Sequence, residues 1–153
     1  KIDGKGADVV EFYLSANIGL EPRPLSNVAS GGELSRLLLS LKQVSPVTDN
    51  EALIVFDEID TGVSGRVAEL MGLKLKELSI TRQLLAITHL PQIAGLADRH
   101  LCVVKKFNSS GTETAIVELK GEDRVQEIAS LLSGGEITNA AIEQARNLLV
   151  SSE

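Results

Sequence analysis

Tryptophan is absent, and aromatic residues make up only 3% of the 153 residues. Binding of single-stranded nucleic acid by base stacking needs aromatic platforms, so that mode is disfavoured. Positive charge is also short: 15 Lys and Arg stand against 21 Asp and Glu, a formal net charge of −6. A surface that docks on DNA phosphates is therefore not expected from this segment alone. The single cysteine, Cys102, lies in the apolar run 101–104. That predicts a buried, reduced thiol and no disulfide framework, which suits a cytoplasmic protein. No apolar run approaches the ~18 residues of a membrane span, so no membrane partner is expected. The absence with most consequence is a phosphate-gripping lysine: no stretch has the form G-x-x-x-x-G-K-[ST].

What is present is ordinary in bulk and unusual in detail. Hydrophobic residues at 43% and charged residues at 24% suit one globular domain, or one lobe of a larger one. The first residues are Gly- and Asp-rich and lack an initiator methionine, and read as the entry of an excised fragment. The chain centres on Val28-Ala-Ser-Gly-Gly-Glu-Leu-Ser-Arg36. Leu34, Leu37, Leu38 and Leu41 recur at helical spacing behind it, and Ser30 with Glu33 has the form of a capping box. A helix starting there exposes unpaired N–H groups and the positive end of its dipole. Gly31 and Gly32 carry no side chains, so an anion can come close to that backbone. The stretch reads as a phosphate socket.

Around it the pattern alternates strands and helices. Val10, Phe12, Leu14, Ala16 and Ile18 alternate with polar residues and predict a strand with one wet face, broken by Glu-Pro-Arg-Pro24. The socket helix should run to about Val44 and stop at Ser45-Pro46. Ala52–Phe56 is a continuous apolar run, as for a parallel strand buried on both faces, and Asp57-Glu58 follows at once. A second helix should start at Ser64 or Gly65, with Val67, Leu70, Met71, Leu75 and Leu78 inward. Leu84–Thr88 is the next buried strand, parallel to the last through the intervening helix, and His89 follows it. A short helix over 91–96 and a hairpin of 100–106 with 112–119 come next. Two helices close the chain, one ended by Gly134-Gly135 and one capped by Thr138 or Asn139.

Both polar constellations thus fall at the carboxyl end of one sheet, where open α/β sheets bind ligands. Two adjacent carboxylates at a buried strand's end are costly without a nearby cation. A magnesium ion held on phosphates would compensate Asp57-Glu58, one carboxylate serving the metal and the other polarising water. The plainer alternative, a solvated loop, loses weight beside the Ser30 stretch. His89 is placed to hydrogen-bond a terminal phosphate; His100 has no such neighbour and reads as structural. Asp60 reads as a turn residue and Ser64 as an N-cap. Arg36 either reaches phosphate or lies on a solvated face with Lys42. Ser133-Gly-Gly-Glu136 repeats the socket's letters, but apolar Leu131-Leu132 precede it, so it reads as a helix C-cap.

These residues resemble a family. Ala29-Ser-Gly-Gly-Glu33 resembles the signature motif of ABC-type ATPases. Leu53-Ile-Val-Phe-Asp57 with Glu58 resembles their Walker B strand and catalytic carboxylate, Asp60 to Ser64 their D-loop, and His89 their switch histidine. The fuller strings, Phe56 to Arg66 and Ile87-Thr-His-Leu-Pro-Gln92, resemble SMC-like ATPases of bacterial DNA double-strand break repair. The resemblance implies an α/β fold over 1–153: the carboxyl-terminal lobe of a P-loop NTPase head, parallel strands with flanking helices plus a β-hairpin. It implies ATP and Mg2+ as cofactors. Ser30, Gly31, Gly32, Glu33 and Asp60 would serve nucleotide binding, Asp57 the metal, and Glu58 and His89 catalysis. The implied partners are a second head across an ATP sandwich, the chain's own amino-terminal lobe, and DNA through the full-length protein at the nucleoid. Two alternatives stay open: the nucleotide-binding domain of a transporter, and a dimerisation module without chemistry. The P-loop belongs to the other lobe, so this segment alone is expected not to hydrolyse ATP.

Overall fold

The computed structural model describes residues 6, 8, 10–15, 19–27, 30–45, 53–108 and 111–150. Chain order is β1 (Tyr13–Leu14), β2 (Arg23–Pro24), a 3-10 turn (Leu25–Asn27), α1 (Gly31–Val44), β3 (Ile54–Phe56) and α2 (Gly65–Ser79). Then follow β4 (Leu84–Ala86), α3 (Pro91–Ala94), β5 (His100–Asn108), β6 (Gly111–Leu119), α4 (Gly121–Ser133) and α5 (Asn139–Val150).

The central unit is the parallel pair β3–β4, with Ile54 opposite Leu84, Val55 opposite Leu85 and Phe56 opposite Ala86. The core lies on one side of this pair. Ile54 and Phe56 point into it and meet Leu39 of α1, Met71, Leu75 and Leu78 of α2, Ile93 of α3, and Ile59. The expected burial on both faces is not found: Leu53 and Val55 are each 48% exposed, and Ile87 is 53% exposed. An uninterrupted apolar run reports that both faces prefer cover, and among the described residues only one face has it.

Three further expectations change. The socket helix spans 31–44 as predicted, but Leu34, Leu38 and Leu41 are exposed and Leu39 is the buried leucine. In α2, Val67 and Leu70 are exposed, while Ala68 and Gly72 are buried beside Met71, Leu75 and Leu78. Helical periodicity marks an apolar stripe; neighbouring elements decide which edge of it is covered. In the entry region, Arg23–Pro24 does not break the strand but pairs with Tyr13–Leu14, and the Leu25 N–H donates to the Phe12 carbonyl at 2.7 Å. Pro is tolerated in so short an edge pair. Val10 and Phe12 are exposed rather than buried. Residues 16–18, 46 and 52 of the expected elements lie outside the described residues.

A second core holds the end of the chain. Ala94, Val125, Ile128, Ala129, Ala141 and Ala145 pack α3, α4 and α5 together. Gly134 closes α4 in the left-handed conformation, φ +62°, so Ser133-Gly-Gly-Glu136 is a helix end as read. Thr138 caps α5 through its hydroxyl, which accepts the Ala141 N–H at 3.2 Å. Cys102 of β5 is half-buried rather than buried, and burial with the nearby Glu127 carboxylate pushes its thiol pKa up.

Candidate functional site

The site begins at the start of α1. Ser30 is extended (φ −117°, ψ 131°), and its hydroxyl accepts the Glu33 N–H at 3.1 Å, the expected N-cap. Glu33 lies in the first turn, where a carboxylate complements the dipole. Val28 and Ala29 lie outside the described residues.

Beneath the helix start sits the turn that follows β3. The Ser35 hydroxyl donates to the Asp57 carbonyl at 2.7 Å. The Arg36 guanidinium donates to the Ile59 carbonyl at 3.2 Å and to the Thr61 carbonyl at 2.9 Å. Within the turn the Thr61 N–H donates to the Glu58 carbonyl at 3.1 Å. Ile59 is fully buried and plugs the turn into the core. Glu58 adopts φ +55°, the one non-glycine left-handed residue among those described. Such a conformation costs roughly 1–2 kcal/mol for a side chain with a Cβ.

The two glycines have separate reasons to be glycine. A Cβ on Gly32 would lie 2.9 Å from the Glu58 carbonyl oxygen and 3.1 Å from Thr61 Cβ. A Cβ on Gly31 would meet only the tip of the Glu58 side chain, Oε2, at 3.0 Å. Gly32 is therefore required by the protein's own turn. Gly31 is exposed and keeps the approach to the backbone open.

Asp60 faces the other way. It is 3% exposed, and one carboxylate oxygen, Oδ2, gathers three contacts: the Thr88 hydroxyl at 2.6 Å, the His89 N–H at 2.8 Å and His89 Nδ1 at 3.0 Å. Burial by itself would raise this carboxyl's pKa. The Thr88 and His89 N–H hydrogen bonds and the imidazole's charge outweigh it and hold the group below the ordinary carboxylate range. Asp57, Glu58, Asp60, Thr61, Ile87, Thr88 and His89 together line an open cleft of about 230 Å³.

The predicted residues thus converge: Asp57, Glu58 and His89 share the cleft, and Gly31 reaches its Glu58 side. Asp60 is tied to His89 rather than exposed. No group of three or more His, Cys, Asp or Glu able to hold a metal ion occurs among the described residues. Asp57 and Glu58 are the adjacent carboxylates on the cleft, a donor set of the size Mg2+ takes when phosphate and water fill its remaining positions. Sequence reasoning missed Ser35 and Thr88 and left Arg36 undecided. Their partners lie 22 to 28 positions away, and hydroxyl and guanidinium groups carry no mark of a distant carbonyl.

No protein-family model matches the chain. Curated proteins do. It is 46% identical over 144 residues to the DNA repair protein RecN of Halalkalibacterium halodurans, covering 94% of this chain and 26% of that protein. The chain is RecN-like. RecN of Bacillus subtilis is 42% identical over 149 residues, 97% of this chain and again 26% of the relative. RecN of Vibrio cholerae is 39% identical over 147 residues. The RecN-like chain therefore spans about a quarter of the length of the curated relatives it matches. Among solved structures it aligns with one of the SMC ATPases studied for ATP-driven dimerization and DNA-stimulated activation. The TM-score is 0.51 at 18% identity, over 77% of this chain and 70% of that one. At that identity the likeness is one of fold: the RecN-like segment has the α/β fold of the SMC ATPases.

Proposed function

We propose that this chain is the carboxyl-terminal lobe, residues 1–153, of the ATPase head of a RecN-type protein acting in DNA double-strand break repair. In this reading two heads close on ATP. Ser30, Gly31 and Gly32 present the α1 N-terminus to the γ-phosphate held by the P-loop of the opposite head, with Glu33 completing the cap. Glu58 polarises the attacking water, His89 contacts the terminal phosphate, and Asp57 is the residue that would hold Mg2+. When bound, that ion supplies neutralisation of charge developing on the phosphates. The bare outer face of β3–β4 fits a docking surface for the chain's own amino-terminal lobe. With a net charge of −6, DNA is engaged through other parts of the full-length protein, at the nucleoid in the bacterial cytoplasm.

One observation carries this reading. A single turn, 57–61, is bonded to the start of α1 through Ser35 and Arg36 and to His89 through Asp60. Signature, carboxylate pair and histidine form one connected unit, as coupled head closure and hydrolysis require. Repair proteins as relatives favour this reading over a transporter domain. The test is ATP turnover by the full-length protein, with and without linear DNA. Ser30→Arg places a bulky cation in the socket and should abolish closure, cutting turnover by at least about 100-fold while leaving ATP binding to the P-loop. Glu58→Gln should cut turnover about 10²–10⁴-fold and trap closed heads. Full turnover in Ser30→Arg overturns the role of the socket.

A further inference from the structure

We propose that Asp60 is a positioning residue for His89: its buried carboxylate fixes the imidazole through Nδ1 and leaves Nε2 as the nitrogen offered to the cleft.

The resemblance groups Asp60 with nucleotide-binding residues, yet its carboxylate is 3% exposed and turned away from solvent. Oδ2 lies 3.0 Å from His89 Nδ1 and also accepts the His89 main-chain N–H at 2.8 Å. Ring and backbone of the same residue are thus tied to one oxygen. The Thr88 hydroxyl donates to that oxygen at 2.6 Å and itself accepts the Leu90 N–H at 3.0 Å. The carboxylate is therefore held from three sides, and α3 begins immediately beyond it.

An ionised carboxylate only accepts hydrogen bonds. A bare Nδ1 lone pair 3.0 Å from it would be repelled, so Nδ1 carries the proton. In neutral imidazole the other nitrogen, Nε2, then carries none. Nε2 lies on the opposite edge of the ring, in a side chain that is 73% exposed and lines the cleft. A histidine so exposed would otherwise turn freely about two torsions. Asp60 removes that freedom and selects the tautomer. The same logic governs the buried aspartate of hydrolase triads, where losing the charge leaves the geometry but selects the wrong tautomer.

The tautomer step stands on this chain's own geometry; only the effect on turnover rests on the ATPase reading. The chain has just two histidines, so ¹⁵N-resolved NMR of the imidazoles separates them readily. In the unmodified chain, without nucleotide, at a pH where the ring is neutral, His89 should show the Nδ1–H form. A dominant Nε2–H form overturns the proposal without any variant being made. Asp60→Asn should shift the population toward Nε2–H. Thr88→Val removes a different donor to the same oxygen and should destabilise the fold while keeping the Nδ1–H form; if it shifts the tautomer equally, Asp60 is not the selecting group. In the full-length protein Asp60→Asn should lower kcat by about 10–100-fold with KM little changed. An unchanged kcat alongside a shifted tautomer would refute the catalytic consequence alone. Absence of ATP turnover in the unmodified protein would instead refute the ATPase reading, leaving the tautomer result standing.

Discussion

Gly31 and Gly32 are neighbours with the same letter and opposite tolerances. Gly32→Ala drives a methyl to 2.9 Å from the Glu58 carbonyl and 3.1 Å from Thr61 Cβ, and backbone must move. Overpacking of this kind costs about 1–3 kcal/mol, only partly offset by alanine's better helix propensity. Gly31→Ala meets only a flexible carboxylate tip, so its stability should change by no more than about 0.5 kcal/mol. Urea denaturation of the two variants checks the contrast; equal losses would show that the 57–61 turn does not press on α1. A second prediction concerns His100. Burial and the Arg124 guanidinium depress its pKa below the ordinary value of about 6.5, against an opposing pull from Glu127. The unfolded chain then takes up the proton first. The contribution is complete above pH ~6.5 and is lost as pH falls from there through the folded-state value. His100→Gln, neutral throughout, should flatten the stability curve below pH 6.5; a slope that persists undiminished refutes the assignment. The signature letters and the acidic pair were readable at this scale because each is contiguous in sequence. Arg36 was not, because its meaning lies in carbonyls 23 and 25 positions away.

At the scale of elements, ends were more legible than faces. Ser30, Gly134 and Thr138 each mark a boundary through chemistry within four residues, and the structure uses each as read. Which leucines of α1 are buried depends on what packs against the helix, and there periodicity chose Leu34, Leu38 and Leu41 where the structure chose Leu39. The α3–α4 junction shows a contact that no local pattern announces. Arg124, from the first turns of α4, donates to the carbonyls of Ala94, Gly95 and Ala97 at 3.4, 3.0 and 2.6 Å. A guanidinium there gathers carbonyls at and just past the end of a four-residue helix and complements its negative end. Arg124→Ala should destabilise by about 1.5–3 kcal/mol, the range for hydrogen bonds made by a charged group. Arg124→Lys should recover only part of this: all three contacts come from the single nitrogen Nη2, which an ammonium with three donors can imitate, but on a shorter stem. Chemical denaturation decides; full rescue by lysine would mean that charge alone holds the junction.

At the scale of the whole molecule, the carboxyl end of β3–β4 is built, and among the described residues its outer face is bare. Val55 and Leu85, paired in register, are 48% and 38% exposed, and Leu53 and Ile87 extend the same apolar side. A parallel pair normally carries cover on both faces. On the ATPase reading proposed above, the site is incomplete in the same sense: it offers a helix N-terminus, two carboxylates and a histidine, but no P-loop lysine to grip the β- and γ-phosphates. Electrostatic stabilisation of a phosphoryl transition state depends on that grip, because positioning supplies most of the catalysis. The isolated chain should therefore show no magnesium-dependent ATP turnover above background and only weak nucleotide binding. It should also bind a hydrophobic dye through the bare sheet face, and Val55→Lys with Leu85→Lys should remove that signal with little loss of stability. On the reading proposed above, co-expression with an amino-terminal lobe carrying a P-loop should quench dye binding and restore turnover together, because one docking event would cover the sheet and bring in the lysine. Turnover by the isolated chain that disappears in Glu58→Gln would refute this proposed division of labour, since Glu58 would then be working without a second lobe.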